Sequence, residues 1–195
     1  MSPHAKPIVI NGRFVYVTNT PADTVDVINS QTNQIVVRIN VGIDPVGLAV
    51  RPGGREVWVA NRGETSISVI DTESLEIVAT LDSRPFAGRI EMGGDGYAIV
   101  PNGGGGSRVR QYLRLWDVEA SRMITEVALR DGEPQTGNCG ALIHDGMAFA
   151  SDPRAGTIQV FDLDGLTGQR FLAVDHDAPD GLAWSPIRVA VMTEQ

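Results

Sequence analysis

The chain has 195 residues, enough for one cooperative domain with its own core and too few for two generous ones. Hydrophobic residues make up 42% and charged residues 21%, a globular composition, and no apolar run approaches the roughly 20 residues of a membrane-spanning helix. A formal charge of -8 at pH 7 repels phosphate backbones and argues against nucleic acid as a partner.

From the amino terminus, Met1 to Pro7 lacks an apolar stretch preceded by basic residues, so no signal peptide is expected in this chain. A first strand is expected near Lys6 to Ile10, and Phe14-Val15-Tyr16-Val17-Thr18-Asn19 reads as a second. Thr24-Val25-Asp26-Val27-Ile28-Asn29 and Ile35-Val36-Val37-Arg38-Ile39 follow as the third and fourth. The same series then returns 42 residues later, as Glu56-Val57-Trp58-Val59-Ala60-Asn61, Ser66-Ile67-Ser68-Val69-Ile70-Asp71 and Ile77-Val78-Ala79-Thr80-Leu81.

Two later units keep the plan with more drift. Gly96 to Asn102 and Tyr112-Leu113-Arg114-Leu115-Trp116-Asp117 belong to the third, and Met147 to Asp152 and Thr157-Ile158-Gln159-Val160-Phe161-Asp162 to the fourth. Asn29, Asp71, Asp117 and Asp162 each close a third strand, where a short polar side chain can bond to the backbone of the following turn. The segment Asp44 to Pro52 recurs as Pro179 to Pro186, and its small residues suit inner strands crowded against neighbouring backbone.

A period of 42 falls in the window of about 40 to 45 residues for one four-stranded propeller blade. The fold expected is therefore all-β, a β-propeller of four-stranded antiparallel blades. A single domain over 1-195 is expected, with blades near 5-40, 45-82, 86-130 and 139-175 and a partial fifth over 180-195, or about four and a half blades. Because propellers close by pairing the first blade with the last, this count points to a partial or unclosed propeller, with open edges available for self-association.

Tyr16-Val17-Thr18-Asn19, its echo Trp58-Val59-Ala60-Asn61, and the link Gly42-Ile43-Asp44-Pro45-Val46-Gly47-Leu48-Ala49-Val50 resemble the YVTN-type β-propeller repeat family. The resemblance covers Gly12 to Leu81 and fades beyond. It implies a periplasmic, secreted or cell-surface protein, since such propellers are commonly exported. Trp116-Asp117 resembles the dipeptide of WD40 repeats, but no Gly-His precedes it, and Trp116 is read as a core aromatic.

In such blades the loops after the second and fourth strands share one face, where ligands usually bind. The candidate ligand-binding residues on that face are Asp44, Arg84, Asn102, Arg108, Arg110, Asn138 and His176. Asp175-His176-Asp177 has metal-ligand residue types, yet adjacent residues on an extended backbone point to opposite sides, so at most two could serve one divalent ion. A solvated turn is the plainer reading, and no cofactor is expected.

Gly103-Gly104-Gly105-Gly106 reads as a hairpin insertion, because a phosphate-cradling loop should lead into a helix. Cys139, the only cysteine, excludes an internal disulfide or a thiolate cage, and no histidine is placed to activate it. There is no Gly-x-Ser-x-Gly elbow.

No catalytic residue is assigned. The function expected is a noncatalytic binding or scaffold module that recognises a protein, glycan or small ligand through its loop face. The alternatives are a lactonase-like hydrolase or the propeller part of a haem- or quinone-linked redox enzyme, since fold alone separates none of these. A truncated fragment without independent function is a further alternative.

Overall fold

The computed structural model describes residues 8-83, 87-94, 96-102, 112-128, 141-152, 157-163 and 169-173. Strands come in sets of four. The first set is β1 (Ile8–Asn11), β2 (Phe14–Asn19), β3 (Thr24–Asn29) and β4 (Gln34–Asn40), and the second is β5 (Pro45–Val50), β6 (Glu56–Asn61), β7 (Ser66–Asp71) and β8 (Ile77–Asp82). The third is β9 (Glu91–Met92), β10 (Tyr97–Asn102), β11 (Tyr112–Asp117) and β12 (Arg122–Ala128), and the fourth is β13 (Ala141–His144), β14 (Met147–Asp152), β15 (Thr157–Asp162) and β16 (Gln169–Ala173). Each set forms its own four-stranded antiparallel sheet with strands in chain order. Among the described residues, no helix is long and apolar enough to cross a membrane.

The chain divides into two compact units, Met1–Ile90 with the first two sheets and Glu91–Gln195 with the last two. In the first unit one face of sheet one packs on one face of sheet two. Tyr16, Val25, Val27 and Ile39 from the former meet Leu48, Val57, Val59 and Ile70 from the latter in a single buried cluster. Period-two alternation explains the sorting, because Tyr16 and Val27 are cross-strand partners, as are Val59 and Leu48. Burying a valine or larger side chain this way contributes about 1.5–3 kcal/mol.

In the second unit, Ile99, Leu113 and Leu115 of sheet three pack with Ala141, Ala148, Ala150 and Leu163. Trp116 is 3% exposed, as its reading as a core aromatic requires. Arg114 is fully buried and its Nε donates to Glu126 Oε2 at 2.8 Å across β11 and β12.

Turn chemistry recurs with the strands. Asn29 Oδ1 accepts the backbone N–H groups of Gln31 and Thr32 at 2.9 and 3.3 Å, and Asp71 Oδ1 accepts those of Glu73 and Ser74 at 3.1 and 2.7 Å. Asp117 Oδ1 accepts from Ala120 N–H at 2.9 Å. These bonds hold the Asp71 carboxyl below its ordinary range, the Ser74 backbone and hydroxyl contributing most.

A second recurrence was invisible in the sequence. The pairing of third and fourth strands slips between Val27 and Ile28, between Val69 and Ile70, and between Leu115 and Trp116. The extra residues are Val36, Val78 and Ile124, and Val36 and Val78 stand 48% and 59% exposed. Inner strands are crowded as expected: a Cβ on Gly47 would overlap the Gly88 carbonyl oxygen.

Candidate functional site

The best-defined polar surface lies at one end of the first unit, where three connections meet. The first is the 3-10 turn Thr20–Ala22 with Asp23 after it, the second is the link 41-44 between sheets, and the third is the loop 62-65. Asp23 and Asp44 both adopt left-handed backbone angles, φ 54° and 55°, which Asp tolerates better than most residues because its short side chain bonds locally.

Asp44 is the knot. Its N–H donates to Asp23 Oδ1 at 2.9 Å, its carboxylate Oδ2 accepts Arg62 Nε at 2.7 Å, and its carbonyl accepts the Arg62 N–H at 2.9 Å. The Arg62 and Asp44 side chains are 42% and 27% exposed, so this ion pair is screened, and its net effect on stability is about 1 kcal/mol or less. Val41 N–H to Asp23 O at 3.0 Å, Gly63 N–H to Ile43 O at 3.0 Å and Thr20 Oγ1 to Pro45 O at 2.8 Å complete the lacing.

Beneath the rim sits a buried polar cluster. Asn61 is fully buried, and its Nδ2 donates to Ser66 Oγ at 2.8 Å and Ser68 Oγ at 3.0 Å. Ser66 in turn donates to the Glu64 carboxylate. Among the described residues the Asn61 Oδ1 has no hydrogen-bond donor, and the equally buried Thr18 hydroxyl has no partner. Gly42 leaves room for these groups, since a Cβ there would overlap the Glu64 carboxylate and lie 2.7 Å from Asn61 Cγ, and both side chains would have to shift. Among the described residues the rim therefore sets three carboxylates, Asp23, Asp44 and Glu64, against the guanidinium of Arg62, over a buried amide oxygen. That arrangement accepts hydrogen bonds and favours cations or hydroxyl donors over anions.

Of the sequence candidates, the structure places Asp44 in this rim with its carboxylate on Arg62. Asn102 ends β10 opposite Tyr112, at the position that Asn19, Asn61 and Asp152 hold in their own sheets. Arg84, Arg108, Arg110, Asn138, Asp175, His176 and Asp177 lie outside the described residues. Among the described residues, no group of three or more His, Cys, Asp or Glu side chains is arranged to hold a metal ion.

Sequence reasoning missed Asp23, Asn61, Arg62 and Glu64. The 42-residue match of Asn19 to Asn61 was the available signal, because an asparagine repeated at the end of a strand sits where a loop must be tied.

Four-stranded antiparallel sheets with strands in chain order, recurring along the chain, define the class: this is a β-propeller fold, and solved propellers superpose on it. Hydrazine synthase from Kuenenia stuttgartiensis matches with a TM-score of 0.68 at 16% identity, over 88% of this chain and 52% of that one. The WD40 domain of Toxoplasma gondii coronin matches with a TM-score of 0.64 at 13% identity, over 84% of this chain and 43% of that one. In sequence, the chain is similar to Protein NirF of Stutzerimonas stutzeri, at 30% identity over 124 residues. That match covers 63% of this chain and 31% of NirF, so the chain spans about a third of the relative. No protein-family model matches the chain.

Proposed function

We propose that the chain is a noncatalytic propeller module of the YVTN type, exported to the periplasm or cell surface, that binds a ligand through the loop face built on Asp44. The observation that carries this is the acceptor-rich rim over a buried Asn61 oxygen that has no donor among the described residues. A ligand that supplies hydrogen-bond donors, such as the hydroxyls of a glycan or the amino groups of a peptide, complements it; a polyanion does not.

The test is titration of the protein against glycan and basic-peptide panels by calorimetry, with Asp44→Asn and Glu64→Gln alongside. Saturable binding of one class, weakened at least tenfold by either substitution, supports the reading. Binding unchanged in both variants, or turnover of the bound ligand or of a lactone, overturns it.

A second reading, the propeller part of a haem- or quinone-linked redox protein, draws on the repeat style that such propellers share. Saturable haem binding, read as a shifted Soret band, would favour this reading over the first.

A further inference from the structure

Two asparagines of the chain precede a glycine, Asn11 and Asn102, and the pair Asn11-Gly12 lies wholly among the described residues. Such a pair carries chemistry of its own. The backbone nitrogen of the second residue can attack the side-chain amide carbon of the first, and a glycine there has no side chain to block the approach.

The fold puts this pair in the tight turn between β1 and β2, where Asn11 is the cross-strand partner of Phe14 and Gly12 is exposed at φ 57°. A Cβ on Gly12 would meet nothing within 4 Å, and among the described residues its N–H makes no backbone bond in a turn or loop. Water and base therefore reach the nucleophile.

The amide under attack has a structural task. Asn11 Nδ2 donates to the Gly54 carbonyl at 2.6 Å, 43 positions on, in the turn between β5 and β6. A Cβ on Gly54 would lie 2.7 Å from Asn11 Oδ1, so the whole amide rests on that turn. Thr72 Oγ1 donates to the same carbonyl at 2.7 Å. Asn11 thus ties the first hairpin of sheet one to sheet two, at the end of the first unit opposite the rim.

We infer that Asn11-Gly12 is a site of spontaneous deamidation, and that conversion unties sheet one from sheet two. The Gly12 nitrogen gives its proton to base and bonds to Asn11 Cγ; the Cγ–Nδ2 bond breaks, and Nδ2 leaves as ammonia with a proton from water. Water then opens the five-membered imide at one of its two carbonyls, leaving an aspartyl or an isoaspartyl linkage. Either product is a carboxylate, which accepts hydrogen bonds and has none to give to Gly54. Its charged oxygen faces the carbonyl oxygen instead. The isoaspartyl form also lengthens the turn by one backbone atom, against the pairing of Asn11 with Phe14.

The bond to Gly54 sets the pace. While Nδ2 is held there, the side chain is not free to turn toward Gly12, so the folded chain converts more slowly than the unfolded one, as this hydrogen bond opens locally.

Ageing of the folded chain in mildly alkaline buffer is the test, with peptide mapping by mass spectrometry and a parallel sample in urea. The expected result is a progressive exchange of NH2 for OH at Asn11, faster in urea and faster as pH rises, with aspartyl and isoaspartyl peptides both present. The fraction converted at Asn11, separated on an anion exchanger by its added negative charge, should melt about 2–8 °C below the unaged chain. Asn11→Gln, which would have to close a six-membered ring, should keep its amide throughout.

Asn11→Asp, made directly, should reproduce the lowered melt, and should that variant fail to fold, the separated aged fraction supplies the same measurement. A folded chain that keeps Asn11 intact while the urea sample converts fully, or a converted fraction that melts with the unaged chain, overturns the inference. Binding at the rim is a separate matter, so either reading can fail without the other.

Discussion

Arg114 offers the sharpest test of the packing described for the second unit. Its side chain is fully buried and is held by Glu126 at 2.8 Å, with further contacts of its own. A guanidinium cannot shed its charge to adapt to burial, so Glu126→Gln leaves a buried cation facing a neutral amide of the same shape. Breaking a buried pair costs about 3–5 kcal/mol, and the remaining contacts of Arg114 place the expected loss near 3 kcal/mol. For a chain of this size each kcal/mol moves Tm by about 2–4 °C, which gives a fall of about 6–12 °C in a thermal melt followed by circular dichroism.

The matched control is Arg114→Met with Glu126→Leu, which removes both charges while keeping volume and should lie within about 1 kcal/mol of wild type. A Glu126→Gln melt within about 2 °C of wild type would refute the reasoning, as would a double variant no more stable than the single one.

Tyr16→Phe should leave stability unchanged or raise it by up to about 1 kcal/mol in urea unfolding, because the buried Tyr16 hydroxyl has no hydrogen-bond partner to lose among the described residues. Burial, with a smaller contribution from Asp71, pushes the Tyr16 hydroxyl above its ordinary value of 10.0. The preference for neutral Tyr16 is therefore fully present below pH 10.0 and lost as pH rises through the folded value, and in a phenolate absorbance titration one of the three tyrosines should ionise only with alkaline unfolding. The Asp71 carboxyl is shifted the other way, so its contribution is present above 3.8 and lost as pH falls through the folded value; Asp71→Asn, which imitates Asn29 of the first sheet, should flatten that acid limb by lowering neutral stability toward its acid value. Val59→Ala, at a site with no exposure in the core between sheets one and two, should cost about 2 kcal/mol by chemical denaturation. Gly42→Ala should disturb the rim around Glu64 and Asn61, seen as shifted amide resonances across residues 61-66, with the fold retained.

Strand positions were readable because the repeat is written in β-branched residues at period two. Phe14–Asn19, Thr24–Asn29, Glu56–Asn61 and Ser66–Asp71 begin and end where the sequence placed them. Among the inner strands β9 spans only Glu91–Met92, too short to leave a periodic trace, while the expected start of the first strand at Lys6 lies outside the described residues. Turn aspartates were legible because one side chain and the next few amides suffice to explain them.

The rim was not, because its bonds join residues 18 to 21 positions apart, Asp23 to Asp44 and Asp44 to Arg62, on loops that only the packing of sheet one on sheet two brings together. Buried Arg114 was hidden for a related reason: at its position in β11 an arginine reads as a solvent-facing residue until Glu126 is seen across from it.

The extra valine in the outermost strand of the first two sheets has a consequence for how this protein survives at high concentration. A straight strand with free amides and an apolar flank invites copies to zip together end on end into fibrils. By kinking that strand at Val36 and Val78, each sheet breaks the straight ladder that an incoming chain would need, although the valines themselves stay in water. Deleting Val36 would straighten the border, and the cost would fall on solubility more than on folding.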